Sequence, residues 1–100
     1  LQMSNKYSHT DYKTLRAVVF YAASGKCMVP KCSKTAIECH HIDNDAANNA
    51  IVNLIPLCQD CHKYAHRAKI NFSFWPELLF TRLLNKARLG LSLYGSQSFN

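Results

Sequence analysis

The sequence predicts a small α+β domain, and three observations carry that expectation. An apolar stripe at helical spacing lies near the amino end, two close pairs of cysteines are separated by about one hairpin of chain, and a second apolar helical stripe lies near the carboxyl end. The 100 residues suit one domain spanning 1–100. Folding at this length buries roughly two-thirds of the unfolded surface, which gives a small core that often needs reinforcement by a metal or a disulfide. With 48% hydrophobic and 18% charged residues, the composition excludes a disordered chain. No apolar run approaches the ~20 residues of a membrane span and no signal peptide opens the chain, so a cytoplasmic protein without a membrane partner is expected. Leu1 rather than Met stands first, which suits a module of a larger host protein or complex.

The elements follow in order. Thr10 or Asp11 can cap a helix of about residues 11–24, with Leu15, Val18, Val19 and Ala22 facing the core and Gly25 offering a left-handed stop. A turn-rich segment, Cys27-Met-Val-Pro-Lys-Cys32, comes next. Ala36 to Ile42 reads as a strand, Asp43 to Asn49 as a polar loop, and Ile51 to Leu57 as a second strand. Gln59 to Lys69 favours a helix. A last helix of about 76–89 starts at Pro76, a residue suited to a first helical position, and stops at Gly90, with Leu79, Leu83, Leu84 and Ala87 as its apolar face. Ser92 to Asn100 reads as a frayed tail.

Cys27-x4-Cys32 and Cys58-x2-Cys61 form two short pairs. Zinc prefers four soft ligands in a tetrahedron, and two such pairs can present four thiolates to one ion, a structural zinc knuckle. The competing readings are ordinary buried cysteines and a redox Cys-x2-Cys, the latter without a thioredoxin-like strand and helix around Cys58. The fifth cysteine, Cys39, is left to pack beneath its strand.

Four of the five histidines fall in two tight groups. His40 and His41 are adjacent at a strand end. His62 and His66 lie four apart on the expected helix, so both project from one face and can offer two imidazoles to one ion. Cys61 and His62 are about 100° apart around the helix axis and should serve different metals. Against this stands the plain reading of surface or hydrogen-bonded histidines. His9 has no assigned role.

Glu38-Cys-His-His-Ile42, then Asn53-Leu-Ile-Pro-Leu-Cys-Gln-Asp-Cys-His62, then His66, resembles the HNH endonuclease motif, in particular its zinc-knuckle members. The resemblance covers roughly Cys27 to Arg67, a motif core of 27–67. It implies a ββα-metal hairpin-helix core with a structural zinc knuckle, flanked by an N-terminal and a C-terminal helix. It further implies His40, His62 and His66 as ligands of a catalytic divalent ion (Mg2+, Mn2+, Ni2+ or Zn2+), His41 as general base, and Asn53 as the asparagine that braces the hairpin loop. Where many members carry a proline and glycines after HHI, this chain reads Asp43-Asn-Asp-Ala-Ala-Asn-Asn49, a departure that bears on the loop's shape and not on the ligands. Some members bind metal through aspartate and asparagine, so the resemblance also offers Asp43 or Asn53 as a direct or water-mediated ligand. The implied activity is metal-dependent hydrolysis of DNA phosphodiester bonds, leaving a 5′ phosphate and a 3′ hydroxyl. One tension accompanies it: neighbours in a regular strand point to opposite faces, so a bend at the strand end is needed if His40 and His41 are to work on one phosphate.

A net charge of +6 suits a polyanionic partner. DNA is expected, double-stranded first and single-stranded as the variant case. Lys63, Arg67 and Lys69 are candidates for phosphate contact. Lys26, Lys31 and Lys34 near the knuckle and Arg82, Lys86 and Arg88 on the last helix form further basic groups, each also readable as solvated surface charge. The last helix, preceded by Phe72, Phe74 and Trp75, packs on the core or docks a partner domain. The alternative function is a non-catalytic zinc-dependent nucleic-acid-binding module.

Overall fold

The computed structural model describes the backbone of residues 2–68 and 70–98 and the side chains of residues 11–68 and 70–90. A helix Gln2–Ala22 (α1) leads to a two-stranded antiparallel hairpin, Glu38–His41 (β1) and Leu54–Leu57 (β2), then to helices Gln59–Arg67 (α2) and Trp75–Ser98 (α3). A 3-10 turn at Ile51–Asn53 leads into β2. Among the described residues no helix is long and apolar enough to cross a membrane.

Both outer helices are longer than their capping residues and glycines suggest. α1 begins at Gln2, so Thr10 and Asp11 lie inside it rather than at its start. Such residues cost a helix interior only ~0.7 kcal/mol or less each, which does not end one where nothing turns the chain. α3 begins at Trp75 and runs through Gly90 to Ser98, so the expected stop at Gly90 and the tail from Ser92 are both corrected. A glycine in a helix interior costs roughly 0.5–1 kcal/mol, a weak stop signal unless its φ turns positive, and Gly90 is not among the positive-φ residues. The carboxyl end of α1, by contrast, is turned. Ser24 (φ 54°) and Gly25 (φ 72°) are both left-handed. Gly25 N–H donates to Phe20 O and Ser24 N–H to Tyr21 O, closing the paired Schellman bonds.

β2 is buried along its whole length. It packs against α1, and Trp75, Leu79, Val19 and Ala22 complete the core around it. The buried Trp75 indole satisfies its polar edge by donating to Leu54 O at 2.7 Å. Arg82 of α3 donates to Ala22 O at 3.1 Å, covering an orphan carbonyl at the end of α1. Pro56 interrupts no ladder bond with β1. Its carbonyl points away from β1 and accepts Met28 N–H at 3.0 Å, so its missing N–H would have faced that way too.

The register pairs Glu38 with Leu57, Cys39 with Pro56, His40 with Ile55 and His41 with Leu54. Alternation therefore puts Glu38 and His40 on one face of the hairpin and Cys39 and His41 on the other. The first face meets α2; the second lies under α1.

Candidate metal centres

The first cysteine pair sits on a small excursion of chain. Lys26 and Thr35 bridge, and Cys27 N–H donates to Lys34 O, which pinches residues 26–35 into a loop. Its tip is a turn with Pro30 in second position, Lys31 at φ 71° in third, and Cys32 N–H donating to Val29 O at 3.0 Å. That is the pattern of a type II turn. The second pair straddles the start of α2. Cys58 is its N-cap, and its sulfur accepts Cys61 N–H at 3.4 Å. A helix N-terminus favours a thiolate through its free N–H groups and dipole.

One sulfur from each of Cys27, Cys32, Cys58 and Cys61 lies within 4.8 Å of all the others. Tetrahedral zinc with bonds of about 2.3 Å would place its sulfurs about 3.8 Å apart, and Cys32 Sγ and Cys58 Sγ are 3.9 Å apart. All are free thiols. Burial, then the sulfurs of Cys58, Cys27 and Cys32, pushes the Cys61 thiol up, whereas Cys32 is lowered chiefly by the Lys34 N–H. Four crowded sulfurs can all ionise only beside a compensating cation. The donor set fits zinc. Lys34 and Asp60 close the outside with an exposed ion pair of 2.7 Å, so Lys34 is a poor candidate for phosphate.

The histidine group lies on the α2 side of the hairpin. His40, His62 and His66 offer nitrogens within 4.8 Å of one another, and ring centroids stand 5.1, 5.0 and 4.7 Å apart pairwise. The Nε2 atoms of His62 and His66 face each other at 3.1 Å. Nδ1 of His62 meets Glu38 Oε1 at 2.5 Å. A carboxylate only accepts, so His62 donates from Nδ1, and the neutral ring then carries its lone pair on Nε2. His40 is almost fully buried against Phe72, and its Nδ1 has no hydrogen-bond partner. Burial first, then the neighbouring His62, His66 and His41, pushes His40 down to about 4, which leaves it neutral at neutral pH, the form that ligates metal. An unpartnered buried nitrogen beside two converging imidazoles fits a cation. A cleft of about 350 Å³ opens here, with His40, His66, Arg67, Asn44, Ile70 and Phe72 in its walls.

His41 is not part of that group. The strand stays paired through it, so the bend expected between His40 and His41 is absent, and the chain turns only afterwards, where Asn44 N–H donates to His41 O. Its ring stacks on Tyr12 of α1 (5.7 Å, 14° between planes), and its Nε2 lies 2.9 Å from Asn49 Oδ1. Asn53 is tied into the loop on three sides. Its Oδ1 accepts Asp43 N–H, and its Nδ2 donates to Asp43 Oδ1 and Asn48 O. Asp43 also accepts from Asp45 N–H and Asn48 Nδ2, so both candidate extra ligands are engaged in the loop.

Lys63 and Arg67 are exposed on α2, and Lys69 lies outside the described residues. Arg82 is engaged by α1 and Lys86 stands 4.5 Å over the Tyr21 ring, which removes both from the exposed basic set. Cys39 is half-buried beneath α1, its thiol pushed up by burial. Glu38, Asn49 and Tyr12 were given no role by sequence reasoning. The Glu38 spacing, two residues before His40 on an alternating strand, was the available signal; the stack with Tyr12 and the bond from Asn49 are tertiary and left none. No family model matches the chain, no curated protein matches its sequence and no solved structure matches its fold.

Proposed function

We propose that the chain is a metal-dependent endonuclease domain of the HNH kind, with a structural zinc in the cysteine group and a catalytic divalent ion in the histidine group. The carrying observation is the convergence of His40, His62 and His66, with His40 Nδ1 buried and unpartnered, at a cleft and next to an independent four-thiol cluster. Two metal-fitted groups with different donors in one small basic domain suit a polyanionic substrate better than a purely structural role.

In this reading His40, His62 and His66 hold the ion, and Glu38 keeps the Nδ1 proton of His62 so that Nε2 stays a ligand atom. When bound, the ion supplies charge neutralisation at a phosphoryl oxygen and at the departing 3′ oxygen. His41 takes the proton of the attacking water, a task suited to an imidazole near neutral pH. Because His40 and His41 lie on opposite faces, the scissile phosphate crosses the end of β1, where the two faces meet. Arg67, at the cleft wall, and Lys63 contact neighbouring phosphates without reading sequence. The substrate is DNA, and the domain fits the cutting part of a larger protein.

Plasmid DNA incubated with the zinc-loaded protein and manganese, nickel or magnesium tests this. Nicking is expected with at least one ion, and His41→Ala should lose about 10²–10⁴-fold in rate while still binding DNA. Full nicking by that variant removes His41 from its role. Binding without nicking by the parent protein supports a nucleic-acid-binding module instead.

A further inference from the structure

We infer that Asn49 is a positioning residue for His41: its side-chain carbonyl takes the Nε2 proton and leaves Nδ1 as the atom that accepts a proton from water. The inference rests on the reading of His41 as general base and adds to it which ring nitrogen works and what selects it.

The chemistry follows from the acceptor. Asn49 Oδ1 stands 2.9 Å from His41 Nε2. A carbonyl oxygen has no proton to give, so a neutral imidazole donates from Nε2 and carries its lone pair on Nδ1. Tyr12 fixes a second degree of freedom. A parallel stack at 5.7 Å holds the plane of the ring, and the bond to Asn49 sets its rotation within that plane.

Asn49 can do this because the loop before it is rigid. Asp43 gathers Asp45 N–H, Asn48 Nδ2 and Asn53 Nδ2, while Asn53 Nδ2 also reaches Asn48 O, the carbonyl of the residue next to Asn49. Asp45 Oδ1 and Asn48 Oδ1 each accept a backbone N–H two residues on, so the side chains build the turns that glycines would otherwise supply. The polar segment Asp43–Asn49, which departs from the proline-and-glycine pattern of the resemblance, thus builds the cradle for the proposed base. Local side-chain bonding replaces backbone freedom, and one of the asparagines is left to face the histidine.

Two readouts test the role in the full zinc-loaded chain. The first is independent of catalysis: a nitrogen–proton correlation spectrum of the histidine rings, with His41 assigned by the signal lost in His41→Ala. The expected result is a neutral His41 in the Nε2–H form whose ring proton is protected from exchange, with that protection lost in Asn49→Ala and kept in Asn49→Asp, which offers the same acceptor. The second is plasmid nicking. Asn49→Ala should lower kcat by about 10–100-fold with KM little changed, and Asn49→Asp should recover most of it. An unprotected ring proton in the parent protein, or one indifferent to Asn49→Ala, overturns the inference whether or not the protein nicks DNA. An unchanged kcat in Asn49→Ala overturns it too. A parent protein that fails to nick with any ion, yet shows the Asn49-dependent ring proton, counts against the nuclease reading and leaves the positioning of His41 standing.

Discussion

The cysteine group and the histidine group meet at one peptide bond, Cys61–His62, and differ in burial, donors and backing. Cys27 and Cys58 are buried among core residues, with Cys32 and Cys61 packed at the edge. The thiols come from a pinched loop and a helix cap, two segments tied otherwise by the Met28 N–H to Pro56 O bond and the exposed Lys34–Asp60 pair. The histidines grade outward instead, from buried His40 through half-buried His62 to exposed His66, and all three stand on regular elements. Four thiolates complete a tetrahedron and leave an ion nothing further to bind, whereas three imidazoles leave positions open. One group is fitted to join segments and the other to meet a ligand. A step of one residue along α2 is enough to separate them, because about 100° of rotation turns Cys61 toward the loop and His62 toward the hairpin.

The largest expected effect falls on the cysteine side. Structural zinc contributes on the order of 10–16 kcal/mol, as much as the whole stability of a small domain. A strong chelator should therefore abolish the helical circular dichroism. Circular dichroism that survives verified removal of zinc would reduce the cysteines to ordinary packing and erase the contrast. His66→Ala sharpens the same contrast from the other side. The residue is exposed and stands outside the hydrophobic core, so the circular dichroism and melting curve should stay near those of the parent protein. Binding of the second ion and plasmid nicking should fall by more than the about 100-fold that outer-shell partners carry. Unfolding of His66→Ala would show that the histidine group also holds the fold.

The two groups were also legible to different degrees. Spacing along the chain shows both cysteine pairs and the His62–His66 face, since each is a local pattern. The alternation of β1 placed His40 and His41 apart, and the pairing of His41 with Leu54 keeps them so. What could not be read locally is what covers each face: α2 over His40, and Tyr12 of α1 over His41. The ends of α1 and α3 were missed for a related reason. Thr10, Asp11 and Gly90 carry propensities of a fraction of a kcal/mol to about 1 kcal/mol, and such preferences yield where the chain is not turned. Gly25, where the chain does turn, stands at a helix end as expected, but Ser24 shares its left-handed conformation.

A smaller effect tests whether the histidine group is backed as a metal site. Glu38 belongs to β1 and holds His62 Nδ1 from behind. Glu38→Ala should weaken the second ion by about 10–100-fold while zinc content and fold are kept, measured by competition with a metal-sensitive dye. An unchanged affinity would mean that the helix alone orients His62.

The smallest effect lies in the loop that separates the strands. The amide of Asn48, then the N–H of Asp45 and the amide of Asn53, holds the Asp43 carboxyl below the usual carboxylate range. A carboxylate whose folded value lies below its unfolded value near 3.9 stabilises the fold fully above that value and loses the contribution as pH falls through the folded one. The Asn53 and Asn48 side-chain amide resonances should therefore move together as pH drops below about 4. In Asp43→Ala that transition should vanish and the Asp45 amide should exchange freely at all pH, while the cysteine group keeps its zinc. If the amides instead stay fixed through the acid range, Asp43 is not what orders the loop. The cradle around His41 would then have to be held from α1 alone, through Tyr12.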